Sequence, residues 1–71
     1  MTSKQQPQIG DRYRSVGMAF RNAVWILTAL FTSRDGIEHA RLTSATDATE
    51  NKTLALSVIA DPSRFVLATP N

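Results

Sequence analysis

The sequence predicts an all-β domain built from five short strands. Residues 23–32 form an almost continuous run of apolar, β-branched and aromatic side chains, and this composition favours a buried strand. An Asp-Gly pair follows at positions 35 and 36, and residues 37–43 then alternate between polar and apolar side chains. A long apolar strand, an Asp-Gly turn and an alternating strand are together typical of a β-hairpin.

The first predicted strand covers residues 12–16 and follows a turn at Gly10. Its residues alternate between polar and apolar, so Tyr13 should face the interior while Arg12 and Arg14 face the solvent. This alternation is the pattern of a strand that is exposed on one side.

The apolar run has a helical alternative over residues 18–32. Four apolar residues of this segment recur at helical spacing, namely Phe20, Val24, Leu27 and Phe31. Apolar side chains also occupy the other faces of that helix, which would leave it without a polar side on the surface of a small domain. The strand is therefore the preferred interpretation, and residues 18–21 become an irregular link into it.

The third predicted strand is the second half of the hairpin, at residues 37–43. Alternation places Ala40 and Leu42 on its inward side and puts His39 and Arg41 on the other side. This strand should be half exposed.

The last part of the chain contains a loop, two strands and a helical turn. Small and polar residues dominate positions 44–51, which should form a mobile loop, and alternation resumes over residues 52–57 with Leu54 and Leu56 pointing inward. A single helical turn is expected from Ser57, as its N-terminal cap, to Pro62, which prevents its continuation. Residues 64–68 supply the last strand, and Pro70 ends it.

Residues 9–68 are predicted to form one domain, after a disordered leader at residues 1–8 and before a tail at residues 69–71. The order of elements resembles that of the Src-homology-type small barrel, so the expected fold is a five-stranded SH3-like barrel with one short helical turn before the last strand. The chain also resembles short uncharacterised bacterial proteins of that barrel type, in the string Gly10-Asp11-Arg12-Tyr13-Arg14, in Trp25, and in Leu56, Ser57 and Phe65.

That resemblance implies a fold and no known activity. The chain has no Ala-Leu-Tyr-Asp-Tyr string like that of the proline-peptide binders, and no repeated glycine-centred motif like that of ribosomal barrel domains. The resemblance therefore supplies no ligand site.

Composition restricts the ways in which the domain can be stabilised. A chain of 71 residues buries a small share of its surface, and the absence of cysteine excludes disulfides and thiolate zinc sites. One histidine cannot build a metal site by itself, so no metal or other cofactor is predicted. Dense packing and self-association remain as possible sources of stability, and a homodimer stays an open alternative.

Charge and hydropathy restrict the location and the partners. Eight basic residues exceed six acidic ones by only two, and they are spread along the chain, so nucleic-acid binding is permitted but not required. The N-terminal segment lacks the apolar core of a secretory signal, and the longest apolar run is far shorter than the roughly 20 residues that span a bilayer. The protein is therefore predicted to be cytoplasmic, without a membrane partner.

The polar residues do not form a pattern that indicates catalysis. A general base at His39 would need a nucleophile or carboxylate within reach, but its neighbour Glu38 lies on the opposite face of the strand. No serine elbow and no glycine-rich phosphate loop is present. Four aspartates fall at turns, which they should stabilise through side-chain hydrogen bonds: Asp11, Asp35, Asp47 and Asp61. We therefore predict no catalytic residues and no enzymatic activity.

Trp25 has three alternative interpretations. A buried tryptophan would be a leading stabiliser of so small a core. An exposed one beside arginines would form a platform for single-stranded nucleic acid or a peptide. In the third interpretation, the second strand is apolar on both faces and buries one of them against a second copy. Its two sides would be Trp25, Leu27, Ala29 and Phe31 on one face and Val24, Ile26 and Leu30 on the other.

Basic residues from strands that are potential neighbours form the last candidate feature. Outward-facing arginines most often serve only to keep a sheet face in contact with water. The alternative hypothesis is that they form a patch that contacts RNA or DNA. The predicted function is a non-catalytic interaction module that binds a protein partner or itself, with a weak, sequence-tolerant nucleic-acid-binding domain as the alternative. The candidate binding residues are Arg12, Arg14, Trp25, His39, Arg41 and Lys52.

Overall fold

The computed structural model describes residues 7–17 and 23–68. The predicted link at residues 18–21 and the tail at residues 69–71 lie outside the described residues, as does most of the predicted leader. The strand elements are β1 (Arg12–Ser15), β2 (Val24–Thr32), β3 (Glu38–Ser44), β4 (Asn51–Ala55) and β5 (Phe65–Leu67), and the helical turn α1 is Leu56–Ile59.

The described residues form one antiparallel five-stranded sheet in the order β4-β3-β2-β1-β5. The predictions of a mostly β fold, of five strands and of a helical turn before the last strand are confirmed. The helical alternative is wrong for β2, because Val24–Thr32 pairs with a strand on each side. No helix in the part of the chain that the structure describes has the length and apolarity needed to cross a membrane.

The sheet does not close into the predicted barrel. Strands β4 and β5 lie at opposite edges of the sheet, and no ladder joins them within residues 7–17 and 23–68. The chain leaves β4 directly into α1, which contacts β3, β4 and β5. A helical turn therefore bridges the two edges where a closed barrel would have hydrogen bonds between strands.

Side chains from four strands and α1 form the core on the inner face of the sheet. The buried members are Tyr13, Trp25, Leu27, Ala40, Leu42, Ile59 and Phe65, with Leu54 and Leu56 packed against them. The inward positions predicted for Tyr13, Ala40 and Leu42 are confirmed. Ile59, which the sequence analysis did not single out, is only 1% exposed.

A β-bulge in β2 changes which side chains share a face. Leu27 pairs with Leu42, but Ala29 pairs with Arg41, so Thr28 is an extra residue on β2. The Thr28 hydroxyl donates a hydrogen bond of 3.2 Å to the carbonyl oxygen of Arg41, next to the interruption of the ladder.

Beyond Thr28, the bulge reverses the face of the sheet to which each β2 side chain projects, relative to the sequence prediction. Leu30 pairs with the fully buried Ala40 and so belongs to the inner face, whereas Phe31 pairs with His39 on the outer face. The prediction that Ala29 and Phe31 would share a side with Trp25 is wrong, because the extra residue reverses the alternation at that point.

The aspartate turns predicted from the sequence are present. Each of the four accepts a side-chain hydrogen bond from a residue two or three positions away: Asp11, Asp35, Asp47 and Asp61. Gly36 has a φ of +85°, which suits the turn between β2 and β3. The capping role of Ser57 is wrong, since α1 begins one residue earlier and no side chain caps it at Ala55.

The burial of Ile59 predicts that α1 contributes to stability as a core element. Replacing Ile59 by Val should lower the free energy of unfolding by about 0.5–1.5 kcal/mol, because a buried methylene is lost from a packed site. Urea unfolding followed by Trp25 fluorescence measures this change. The matched control is Ile37→Val, at a residue that is 49% exposed and should show a much smaller effect. Equal losses at both positions would contradict the core role of α1.

The aspartate turns predict a loss of stability in acid. The Thr49 hydroxyl lowers the pKa of Asp47 and the Ser63 backbone N–H lowers the pKa of Asp61, both from the usual 3.8. A lowered folded-state pKa contributes stability that is complete above 3.8 and disappears as the pH falls through the folded value.

The double variant Asp47→Asn/Asp61→Asn should therefore lose less stability than the wild type when the pH falls below about 4. At neutral pH the variant should be somewhat less stable than the wild type, because the Asn carbonyl still accepts the turn hydrogen bonds but is a weaker acceptor than a carboxylate. Urea midpoints measured across the acid range test this expectation. An identical acid dependence in both proteins would contradict it.

Candidate functional site

The structure brings three of the predicted arginines together on the outer face of the sheet. Strands β1 and β3 both flank β2, so outward side chains on these strands border the outward side chains of β2. Arg12 pairs with Ile26, and Arg14 pairs with Val24. Arg41 reaches the same face from the other side of β2, since it alternates with the inward Ala40 and Leu42, and the bulge places it opposite Ala29. All three arginines are exposed.

Between the arginines, β2 presents an apolar stripe. Val24, Ile26 and Ala29 are half-buried on this face, and Phe31 is 44% exposed. The Arg12, Arg14 and Arg41 side chains together with this stripe and His39 are called the arginine face below.

His39 and Phe31 form one end of the arginine face. Their rings stack with centroids 5.5 Å apart and an interplanar angle of 13°. The Nδ1 atom of His39 lies 3.0 Å from the carbonyl oxygen of Ile37, so a donating Nδ1–H fixes the ring orientation. The imidazole is therefore held as a flat extension of the aromatic surface.

The strand positions of the arginine face carry positive charge and no carboxylate. Among the described residues, none of the strand positions assigned to this face by the pairing is Asp or Glu. Glu38, the acidic residue nearest in sequence to His39, pairs with Thr32 and lies on the opposite side of the sheet. Cation and apolar side chains thus share the strand positions of this surface. Asp35, in the turn before β3, lies near its His39 end, and its pKa is lowered first by the Ser33 hydroxyl and also by the charge of His39.

The structure separates Trp25 and Lys52 from the arginines. Trp25 pairs with Tyr13 on the inner face and is 8% exposed, so the buried alternative for the tryptophan is the one observed. Lys52 pairs with Leu42, also on the inner face, and its ammonium lies 4.3 Å from the centroid of the Trp25 ring. This distance is that of a cation–π contact. The Trp25 Nε1 atom is buried and has no hydrogen-bond partner among the described residues.

The sequence offered a signal for this separation in the alternation of β4. Leu54 was assigned inward, and Lys52, two residues earlier, must then share its face. The outward parity predicted for the three arginines therefore does not extend to Lys52. Long basic side chains reach inner positions because the aliphatic stem covers apolar surface while the ammonium stays at the rim.

A search for clusters of His, Asp and Glu that can hold a metal ion found none within residues 7–17 and 23–68. Comparison of the chain with known proteins found no matching protein family, no matching curated protein and no matching solved structure. The functional argument therefore depends on the geometry of the two sides of the sheet.

The contact between Lys52 and Trp25 predicts a measurable contribution to stability. Lys52→Met keeps an apolar stem over the ring and removes the charge, so the free energy of unfolding should fall by about 0.5–1 kcal/mol. Urea unfolding followed by circular dichroism measures the loss. The control is Arg41→Met on the outer face, where a surface substitution should change stability by less than about 0.5 kcal/mol. A Lys52→Met protein as stable as the wild type would contradict the contact.

Proposed function

We propose that this protein is a non-catalytic interaction module that binds an acidic, partly apolar surface of a partner protein through the arginine face. The observation that carries the proposal is the position of Arg12, Arg14 and Arg41 around the apolar stripe of β2, on a face where no described strand residue is acidic. Arginine donates several hydrogen bonds in a fixed fork and pairs with carboxylates in a bidentate geometry.

The apolar stripe favours a protein partner over a nucleic acid. Protein interfaces combine an apolar centre with a polar rim and are enriched in arginine, and Val24, Ile26 and Ala29 supply such a centre. Single-stranded nucleic acid instead needs aromatic platforms for its bases. Trp25, the expected platform, is buried on the other side of the sheet, so the aromatic surface of the arginine face is confined to Phe31 and His39 at one end.

The charge of the arginine face also argues against self-association through it. A two-fold symmetric contact would place Arg12, Arg14 and Arg41 of one copy against the same residues of the other. Like charges brought together in this way are destabilising unless anions separate them. The preferred partner is therefore a different protein with carboxylates around apolar side chains.

The surroundings of His39 support a non-catalytic role. Its Nδ1 faces a backbone carbonyl, and one ring face stacks on Phe31. Glu38 projects from the opposite side of the sheet, and the nearby Asp35 carboxylate accepts a hydrogen bond from the Ser33 hydroxyl. A general base requires a partner group within hydrogen-bond reach of the reacting proton. The arrangement around His39 instead suits a planar contact surface.

The strand order also supports a proposal about fold type. A meander of β1 to β4 with β5 beside β1, and a helical turn before β5, is the order expected of an opened relative of the Src-homology-type barrel. The open edges and the bridging turn are then its departures from a closed barrel.

The binding proposal predicts that an acidic amphipathic peptide binds the arginine face. The probe is a synthetic peptide of glutamates interleaved with leucines, titrated into the ¹⁵N-labelled chain. Amide signals of β1, β2 and β3 should shift, and the triple variant Arg12→Gln/Arg14→Gln/Arg41→Gln should weaken binding at least about tenfold, as expected for the loss of charge-assisted hydrogen bonds. The control is Arg34→Gln in the turn between β2 and β3, which should bind almost as well as the wild type.

Two results would overturn the proposal. Absence of peptide-dependent shifts on the arginine face would remove the surface as a binding site. Tighter, salt-sensitive binding of an oligothymidylate at the same residues would replace the protein partner by single-stranded nucleic acid.

A further inference from the structure

We propose that the inner side of the sheet carries a second binding site, a groove that accepts a small organic ammonium ion with an apolar body. This site lies on the side of the sheet opposite the arginine face and does not depend on the function proposed for that face.

The groove lies on the inner side of the sheet, between α1 and the strands that α1 packs against. Its volume is about 830 Å³, and its lining comes from the residues around β1, the start of β3, α1 and β5. These elements surround the inner face beside α1. Pockets that hold small molecules have volumes of roughly 300–1,000 Å³, so the groove has the size of such a site.

Apolar side chains form most of the lining. Leu56, Ile59, Phe65 and Leu67 line the groove together with the ring of Tyr13. Leu67 is 48% exposed, which leaves apolar surface that a ligand can remove from water. An apolar ligand body would therefore be stabilised by contact with this part of the groove.

Two carboxylates give the groove a negative charge. Asp11 lies on the β1 side and Glu38 lies on the β3 side, and no Lys, Arg or His is present among the described lining residues. Carboxylates beside apolar surface select a cation, because an anion would meet repulsion without any compensating donor charge. Charge complementarity thus makes the occupant an ammonium ion.

Glu38 is the residue that can pair with the ligand. The Asp11 carboxylate accepts a hydrogen bond of 3.0 Å from the Gln8 backbone N–H. Burial, reinforced by the nearby Asp11 charge, raises the pKa of Tyr13, so the phenol remains neutral. Glu38, by contrast, makes no hydrogen bond or ion pair with another described residue. Its carboxylate is free to bind the ammonium group.

The test compares three ligands of similar shape and different charge. The probes are 2-phenylethylamine, neutral 2-phenylethanol and anionic 3-phenylpropanoate, each titrated into the full ¹⁵N-labelled chain at neutral pH. The amine should shift amide signals of Tyr13, Glu38, Ile59 and Phe65 and bind about fivefold to tenfold more tightly than the alcohol, as expected for one charge-assisted hydrogen bond at a partly open site. The carboxylate should produce no shifts in the groove.

Matched variants locate the selectivity. Glu38→Gln should reduce the affinity for 2-phenylethylamine to that for 2-phenylethanol, while the affinity for the alcohol stays unchanged. Glu50→Gln removes the same charge from the loop between β3 and β4, outside the groove, and should leave both affinities unchanged. The triple arginine variant should also keep amine binding, so that failure at one face can be told from failure at the other.

Four outcomes would overturn the site. Equal binding of all three probes would show apolar partition without charge selection, and equal losses in Glu38→Gln and Glu50→Gln would show a general charge effect. If the amide signals of the groove residues do not shift at amine concentrations up to about 10 mM, the weak end of small-ligand affinity, the groove does not bind an organic ammonium ion. Much tighter binding of an acetylated Phe-Lys amide than of the amine would replace the small ligand by a basic peptide.

Discussion

The bulge at Thr28 is the constraint on which both surfaces of the sheet depend. Strand β2 contains more apolar side chains than one face can bury, and an uninterrupted strand would place Phe31 in the core and Leu30 outside. The extra residue reverses that assignment, and the hydrogen bond from Thr28 to the carbonyl of Arg41 compensates the interrupted ladder. Arg41 consequently borders the apolar stripe, and His39 stacks on Phe31. Without the bulge, the arginine face would lose its aromatic end.

The net charge of the chain conceals how its charges are distributed. A formal charge of +2 suggests a weakly basic protein. The sheet divides these charges, because outward positions of β1 and β3 carry cations while Asp11 and Glu38 belong to the inner side. Alternation in strands is what makes such a division possible, since neighbouring residues such as Glu38 and His39 project to opposite faces. The two proposals for the two sides of the sheet both depend on this division, with Lys52 as a cation on the inner side.

The sequence was sufficient to predict what depends on local chemistry. Apolar composition and an Asp-Gly turn predicted the hairpin, and alternation correctly placed Tyr13, Ala40 and Leu42. The bulge was not predictable from the same pattern, because alternation in β2 is hidden where both faces are apolar. The burial of Ile59 and the open edges depend on how α1 packs against three strands, which is tertiary information. Lys52 was misplaced among the arginines although its parity with Leu54 was available.

The sheet can stay open and still cover a buried core because α1 connects the two sheet edges. In a closed barrel, hydrogen bonds between strands would make that connection. A small domain has few residues with which to cover its interior, so one side chain placed over the opening has a large effect. Ile59 fills that position from a single helical turn, and Phe65 reaches the core from the first residue of β5. The two edges are then held together by packing and not by strand pairing. Packing leaves a gap beside the helical turn, and the groove is the consequence of closing a core in this way.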